Sequence, residues 1–423
     1  MGGFVRQGGK RLLIVAMVLC VYAGDAFAQN GLRDRERQFS ASQEIAADLR
    51  KAHFHHGPFY LLSTFQLSDI GYDSSFYVPT ADRQSGFRFG VQAPTRFYIV
   101  PSKKTIYSID VRPEWSFFNR GGKRDVFGYR ARADAQYLLN HLYLDVYAEN
   151  ADQLRADVAE IARLLSERAN SYGVTGELKY SSRTSATFNA ATLRTSYPLS
   201  KIQPDLRLTP VELLDRTGHN YRIAINHKTF PLTSVFLTGE FSDYSFTNAS
   251  YKNGRRSFVG TGFVHDTGRT VTRLEAGAGK LDFVDPTQHP FQGALGNISS
   301  NKKFGRLVTG NIAASRDLDF SIFTANNYYI ADRLSSYVSW DATRRLTLTV
   351  QYAIGRDLYE VPVSGPHGFL KRRDVFSFPS IGFTYGLARL RGGLDIGYVD
   401  RTSNFDINVD KGIRVLFRLS FTP

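Results

Sequence analysis

The chain has 423 residues and a formal net charge of +14, with 13% aromatic residues and 36 glycines. Its only cysteine, Cys20, lies near the N-terminus, so the rest of the chain can form no disulfide, no thiolate metal site and no cysteine nucleophile. Beyond residue 28 no apolar run reaches the roughly 18 residues that a membrane-spanning helix needs. These bounds leave a soluble β protein or a membrane β-barrel.

Residues 1–28 have the pattern of a secretory signal peptide. Lys10 and Arg11 precede an apolar run that ends in the small residues Ala26 and Ala28, and we expect cleavage after Ala28. Removal of this segment takes three bases and one acid, so the mature chain keeps a net charge of +12. A basic surface favours anions, but in a secreted, aromatic-rich chain it does not predict nucleic-acid binding.

Residues 29–57 are expected to form a periplasmic N-terminal segment with a short helix over 40–52. The sequence "HFHH" places His53, His55 and His56 at its end. No acid or second histidine pair lies near enough in sequence to complete a metal site, so we predict a solvated linker and no metal. No cofactor is expected.

From residue 58 to residue 423 the sequence alternates with a period of two. In "LTLTVQYAIG", which begins at Leu346, the even positions are apolar and the odd positions are mostly polar or small. Aromatic residues stand near the ends of such segments, and short connections alternate with long polar ones. The pattern predicts an all-β fold, a transmembrane antiparallel up-and-down β-barrel in the outer membrane of a Gram-negative cell.

The alternation of connections also predicts the number of strands. Both termini should lie on the periplasmic side, so the number must be even, and dividing 126–149 at 138–142 gives about eighteen strands, with sixteen as the alternative. The expected tight turns are "SRDL" at 315–318, "DTGR", "FPLT", "ATRR" and "GLAR". The expected long loops are 196–218, 246–256, 284–303, 359–372 and 402–411.

One amphipathic helix is predicted inside a loop, as an insertion over 150–170. Within 151–168 the residues Leu154, Val158, Ile161 and Leu165 form one apolar stripe, and Asn150 can begin a capping box. A single amphipathic helix needs a surface to cover. It could act as a lid, fill the lumen as a plug, or lie on the rim.

The chain ends in "KGIRVLFRLSFTP", whose two faces differ. Phe417, Leu419 and Phe421 belong to an apolar row that should face lipid and form a C-terminal signal for the barrel-assembly machinery. The opposite row carries Arg414 and Arg418, which should face the lumen.

The net charge of the inward-facing side chains is the main indication of function. The predicted pore-lining bases are Arg130, Arg132, Lys179, Arg222, Lys228, Arg273, Arg389, Arg391, Arg401, Arg414 and Arg418. The acids assigned to the same face are Asp134, Glu177, Glu275 and Asp395. Such an excess of bases predicts an anion-selective lumen, although paired charges can also serve only to keep a channel wall hydrated.

Enzymatic motifs are absent from the sequence. "GAGK" at 277–280 lacks the spacing and the Ser or Thr of a phosphate-binding loop, and no G-x-S-x-G nucleophile elbow occurs. We therefore predict a protein that is not an enzyme.

The chain, most clearly in its last third, resembles the β-barrel porin type 2 family, whose members accompany exopolysaccharide and capsule biosynthesis. The resemblance is carried by "GYDSSFYVPTADRQSG" near the start and by Arg373, Asp374, Gly382, Tyr385, Tyr398, Arg401 and Ser403. It implies a passive conduit through which an anionic polysaccharide crosses the outer membrane, with periplasmic export components as partners. Two alternatives stay open: a general or anion-selective diffusion porin, and a structural or adhesin-like barrel without an open pore.

Overall fold

The computed structural model describes residues 45, 48–73, 86–119, 123–155, 165–198, 211–365, 368–405 and 410–422. The predicted signal peptide, most of the 40–52 helix and the centre of the predicted loop helix lie outside these residues. Residues 45 and 48–50 are helical. Among the described residues, no helix is long and apolar enough to cross a membrane.

Twenty-three strands, numbered in chain order, account for most of the described chain. The first eleven are β1 Phe54–His56, β2 Phe59–Ser63, β3 Phe65–Asp73, β4 Gly86–Gln92, β5 Thr95–Ser102, β6 Thr105–Asn119, β7 Lys123–Leu138, β8 Leu142–Arg155, β9 Leu165–Lys179, β10 Thr184–Ser196 and β11 Arg216–Phe230. The others are β12 Thr233–Phe246, β13 Gly254–Asp266, β14 Thr270–Phe283, β15 Phe291–Phe304, β16 Val308–Phe320, β17 Tyr328–Asp341, β18 Leu346–Leu358, β19 Val363–Gly365, β20 Gly368–Leu370, β21 Arg373–Leu387, β22 Leu390–Ser403 and β23 Asp410–Phe421. Two short 3-10 helices occupy Val211–Leu214 and Ser250–Lys252.

The strands close into an antiparallel barrel of 18 strands, so the predicted number is confirmed. Each strand pairs with the next along the wall, and β23 closes the ring by pairing with β3, with Phe421 opposite Phe65. Closure matters because backbone groups at an open edge would have no hydrogen-bonding partner in lipid.

Two of the barrel strands are each interrupted once. β4 and β5 pair with β6 in one continuous register, from Gln92 opposite Glu114 to Thr95 opposite Val111. The gap coincides with Pro94, which has no backbone N–H to donate. β2 and β3 likewise form one strand of the wall, because β2 pairs with β5 and β3 pairs with β4. β1 forms a small hairpin with β2 outside the closed ring.

The outer face of the barrel is apolar. On β12 the side chain of Leu237 is 57% exposed, whereas its neighbours Phe236 and Thr238 are buried. Ile223 on β11 and Val259 on β13 extend the same exposed band, at 56% and 63%. In water so large an apolar surface would be unfavourable; around a closed barrel it is the surface that faces lipid.

The two ends of the barrel differ in the length of the connections between strands. Tight turns and both described chain ends lie at one end, which is therefore periplasmic, and the longer loops lie at the other. The predicted division at 138–142 is confirmed, since β7 ends at Leu138 and β8 begins at Leu142. The predicted turn at 315–318 is wrong, because those residues lie inside β16 and the tight turn is at 305–307. The loop predicted over 284–303 is shorter in the structure and ends at residue 290, because β15 begins at Phe291.

The predicted helix over 151–168 is wrong at both ends. Residues up to Arg155 continue β8, and residues from Leu165 begin β9, with Arg155 opposite Leu165 in the register. Residues 156–164 lie outside the described part of the chain. At Leu154 and Leu165, the two ends of the apolar stripe, the pairing of adjacent strands overrides the helical spacing.

Candidate channel lumen

The inner face of the barrel is polar and charged. Residues opposite one another in an antiparallel pair share a face, so the register identifies the inward row of each strand from the exposed apolar row. On β6 the inward row includes Asp110 and Arg112, and on β7 it includes Arg130, Arg132 and Asp134. A wall of this composition stays hydrated and cannot pack as an apolar core.

A cavity of about 160 Å³ lies against this part of the wall, in the periplasmic half of the barrel. Its charged side chains are joined in ion pairs. Asp110 binds Arg96 and Arg112, both at 2.7 Å, and Arg132 binds Asp134 at 2.7 Å. Arg130 lies 2.7 Å from Glu149 on β8.

The N-terminal helical residues enter the lumen at this cavity. Ile45 is buried among the inward side chains of Tyr98 and Ile106. Asp48 forms an ion pair with Arg96 and accepts a hydrogen bond of 2.9 Å from the hydroxyl of Tyr98. The sequence predicted a helix in the periplasm; the helical residues that the structure describes instead contact the inner wall, because that wall offers both an apolar patch and a guanidinium partner.

A second group of ion pairs lies on the wall between β11 and β14. Arg222 on β11 binds Glu240 at 2.5 Å and Glu275 at 2.9 Å, and Arg273 lies 3.7 Å from the same Glu275. The side chain of Glu275 has no exposed surface. These groups are therefore part of the wall and not mobile charges in the channel.

Among the described residues, the inner face carries more acids than the four that the sequence assigned to it. The pairing of strands brings further acids to the same face as the arginines, and each lies within ion-pair distance of one of them: Asp110, Asp145, Glu149, Glu240, Asp317 and Asp357. Bases missed by the sequence, such as Arg96, Arg256 and Arg333, also face inward but are paired in the same way. These inward arginines therefore each lie within 4 Å of an acid.

Ten of the eleven predicted pore-lining bases fall into three groups. Five lie on inward rows within 4 Å of an acid: Arg130, Arg132, Arg222, Arg273 and Arg401. Three are exposed at the periplasmic strand ends: Lys179, Lys228 and Arg391. Arg414 and Arg418 lie on the inward row of β23.

Arg389 differs from the other predicted bases. It lies in the tight turn between β21 and β22 and not on a wall strand, so its assignment to the lumen is wrong. Phe417, Leu419 and Phe421 form the outward row of β23. Their role in assembly stays a prediction.

Two of the three N-terminal histidines, His53 and His55, make side-chain contacts within the protein. The ring of His55 stacks on Tyr60 with centroids 4.3 Å apart, and the His53 Nδ1 accepts a hydrogen bond of 3.1 Å from the backbone N–H of Ser63. In the parts of the chain that the structure describes, no three His, Cys, Asp or Glu side chains are grouped as metal ligands.

At the extracellular end, one hairpin folds inward across the lumen. Residues 317–330, here called the infolded hairpin, comprise the end of β16, the start of β17 and the connection between them. They lie beyond the point where β15 stops pairing with β16, since the last such pair is Gly296 with Arg316. The ring of Phe320 lies 4.9 Å from the rings of Tyr244 and Phe246 on β12, four strands away along the wall. Such a contact requires the hairpin to leave the wall.

The tip of the infolded hairpin is anchored on several sides. Ile322 is buried against Val211 and Leu214 of the first 3-10 helix, and the Lys252 ammonium donates a hydrogen bond to the backbone oxygen of Ser321. Aromatic, cationic and amide contacts hold the other side. The Arg372 guanidinium lies 4.4 Å from the Phe323 ring centroid. The Asn326 side chain forms two hydrogen bonds with the backbone of Val361, one as donor and one as acceptor. The adjacent Asn327 donates a hydrogen bond to the side chain of Gln288.

The infolded hairpin could not be recognised from the sequence. "DLDFSIFTANNYYIAD" reads as two strands and a loop, and nothing in its composition distinguishes a loop above the rim from one inside it. The charge pairing on β6 could have been found, because "TIYSIDVRPEW" alternates with Asp110 and Arg112 on one row.

Comparison with known proteins adds little beyond this geometry. No protein-family model matches the chain, and no curated protein matches it in sequence. Among solved structures it is similar to OccAB4 of Acinetobacter baumannii, with 11% identity, a TM-score of 0.47 and coverage of 86% of this chain and 98% of that one. It is also similar to OpdK of Pseudomonas aeruginosa with vanillate, with 13% identity, a TM-score of 0.47 and the same coverage.

A bacterial polysaccharide outer membrane secretin also matches, with 10% identity, a TM-score of 0.33 and coverage of 86% of this chain and 98% of that one. At these identities and TM-scores, the similarities carry neither a substrate nor a function to this chain. The resemblance to the type 2 porin family is not supported beyond an outer-membrane barrel. The protein is a multi-pass β-barrel of the outer membrane, since it is a closed barrel with an apolar outer surface and a charged lumen.

Proposed function

We propose that the protein is a non-enzymatic channel for the diffusion of small hydrophilic solutes, narrowed at its extracellular mouth by the infolded hairpin. The observation that carries the proposal is the combination of a hydrated, charge-paired wall with a hairpin that crosses the lumen. A wall of eighteen strands encloses an aqueous space.

The export of an anionic polysaccharide, which the sequence favoured, has less support than the diffusion alternative. A polymer conduit needs a wide, continuous bore, whereas here Phe320 and Ile322 leave the wall at the mouth and pack against β12 and the 3-10 helix Val211–Leu214. The argument from a positive lumen also falls, because the wall arginines are paired with acids. A charge-paired wall suits solutes of either sign and gives weak ion selectivity.

Reversal of charge on β23 tests whether this wall borders the conducting path. The double substitution Arg414→Glu with Arg418→Glu places two acids on an inward row and should shift the reversal potential in a salt gradient toward cations. The control is Arg255→Glu on β13, whose side chain is 70% exposed on the outward row and should leave the reversal potential unchanged.

Planar-bilayer recording of the refolded full chain supplies the measurement. We expect discrete conductance steps with weak selectivity in the unaltered protein and a cation shift in the β23 variant alone. If the reversal potential of the β23 variant equals that of the unaltered protein, the ions do not pass along this wall. A protein that inserts into the bilayer and never conducts would favour the structural barrel.

A further inference from the structure

The tight turns at the periplasmic end of the barrel are rich in basic side chains. Two tight turns carry pairs of bases, at 103–104 and 344–345, and four others carry a single arginine: Arg183, Arg269, Arg306 and Arg389. The eight tight turns contain no Asp or Glu between their strands. All of these basic side chains are exposed. We call this set the periplasmic basic rim.

The bases of the periplasmic basic rim have no acidic partners within the described chain. No ion pair found among the described residues includes any of them. The outward bases near the extracellular strand ends behave differently, since Lys280 binds Asp282 at 2.7 Å and Arg316 binds Asp332 at 3.1 Å. Among the described residues, these outward bases thus have acidic partners and the bases of the periplasmic basic rim do not.

Exposed aromatic side chains place this rim at the depth of lipid headgroups. Tyr180 stands in the same turn as Arg183 and is 87% exposed. Phe304 and Trp340, each 47% exposed, lie beside the turns at 305–307 and 342–345. Exposed aromatic residues mark the boundary between the apolar core of a bilayer and its headgroups. Long basic side chains next to that boundary extend to the phosphate layer.

We propose that the periplasmic basic rim binds the phosphate groups of anionic phospholipids in the periplasmic leaflet. The bases occur in turns distributed around the ring, from the connection of β5 with β6 to that of β21 with β22. A protein partner would contact one arc of such a ring, whereas a surrounding lipid leaflet contacts all of it. Each base near an anionic membrane surface adds to lipid attraction, and salt weakens the effect.

The two tryptophans of the chain provide matched internal probes. Trp340 lies on the outward row of β17 beside the turn 342–345, and Trp115 lies on the outward row of β6 near its extracellular end. Trp115→Phe leaves a reporter at the periplasmic leaflet, and Trp340→Phe leaves one at the opposite leaflet. Both variants are reconstituted in vesicles of phosphatidylcholine and phosphatidylglycerol, with either lipid brominated to quench tryptophan fluorescence.

We expect brominated phosphatidylglycerol to quench Trp340 more than brominated phosphatidylcholine does, and Trp115 to show no such preference. Substitution of Arg344→Ser with Arg345→Ser should lower the preference at Trp340 about tenfold. In the protein with unaltered turns, about 1 M salt should abolish it, because the Debye length then falls to about 3 Å. This salt test does not depend on the folding of a variant.

Three results would overturn the proposal. Equal quenching of Trp340 by both brominated lipids would show that the periplasmic end has no preference for anionic lipid. A preference at Trp115 as large as that at Trp340 would show that the preference is not due to the periplasmic basic rim. Competition by free inorganic phosphate, compared with chloride at equal ionic strength, would identify a site for soluble anions and not for lipid.

Discussion

Replacement of residues 321–327 by an Asn-Gly turn is expected to raise the single-channel conductance severalfold. Phe320 and Tyr328 are the last pair of β16 with β17, and a two-residue turn of this type can connect such a pair while preserving its register. The change removes Ile322 and Phe323, the side chains that bridge the lumen, without altering the barrel wall. A wider aqueous path conducts more ions at the same voltage.

A milder variant separates narrowing from structural support. Arg372→Ala removes the guanidinium that lies against Phe323 and Tyr359 but leaves the hairpin in the chain. We expect an intermediate conductance with more frequent fluctuations between levels. If the shortened hairpin conducts no better than the unaltered protein, the infolded hairpin is not the constriction.

Removal of the Glu275 carboxylate is expected to have the largest effect on stability. Glu275 has no exposed side-chain surface and lies near two arginines, Arg222 and Arg273. Glu275→Ala would leave buried positive charge without its partner, which costs about 3 kcal/mol. Urea unfolding in detergent micelles, followed by tryptophan fluorescence, should show the corresponding fall in the free energy of unfolding.

The matched control lies on the same strand. Asp282 on β14 faces outward, is 48% exposed and pairs with the exposed Lys280. Asp282→Ala should change the free energy of unfolding by less than about 1 kcal/mol, as is typical of exposed ion pairs. Equal effects of the two substitutions would contradict a structural role for the inward ion pairs.

The barrel itself could be predicted from the sequence, because the period of two and the spacing of turns are local signals. The division at 138–142 followed from the requirement that both termini lie at one end. The error at 315–318 has a local cause: Asp317 and Asp319 give the end of β16 the polarity of a turn. In the structure these residues belong to the infolded hairpin, where Asp317 forms an ion pair with Arg256 on β13 and Asp319 accepts a hydrogen bond from the hydroxyl of Tyr329 in the same hairpin.

The charge of the lumen could not be predicted in the same way. Whether Arg222 is an open charge or a paired one depends on Glu240 and Glu275, which approach it only through the register of three strands. Periodicity assigns a residue to a face but not to a neighbour. The positions of the infolded hairpin and of Asp48 depend on contacts between segments far apart in sequence, for which one sequence contains no local signal.

Uptake of neutral sugars by proteoliposomes tests the central proposal most directly. The refolded protein is placed in vesicles, and osmotic swelling is followed with saccharides of increasing length. We predict rapid entry of monosaccharides, a steep decline for longer oligosaccharides, and a higher size limit once residues 321–327 are replaced. Exclusion of every sugar by both proteins, or equal entry of long and short saccharides into the unaltered protein, would contradict a constricted diffusion channel.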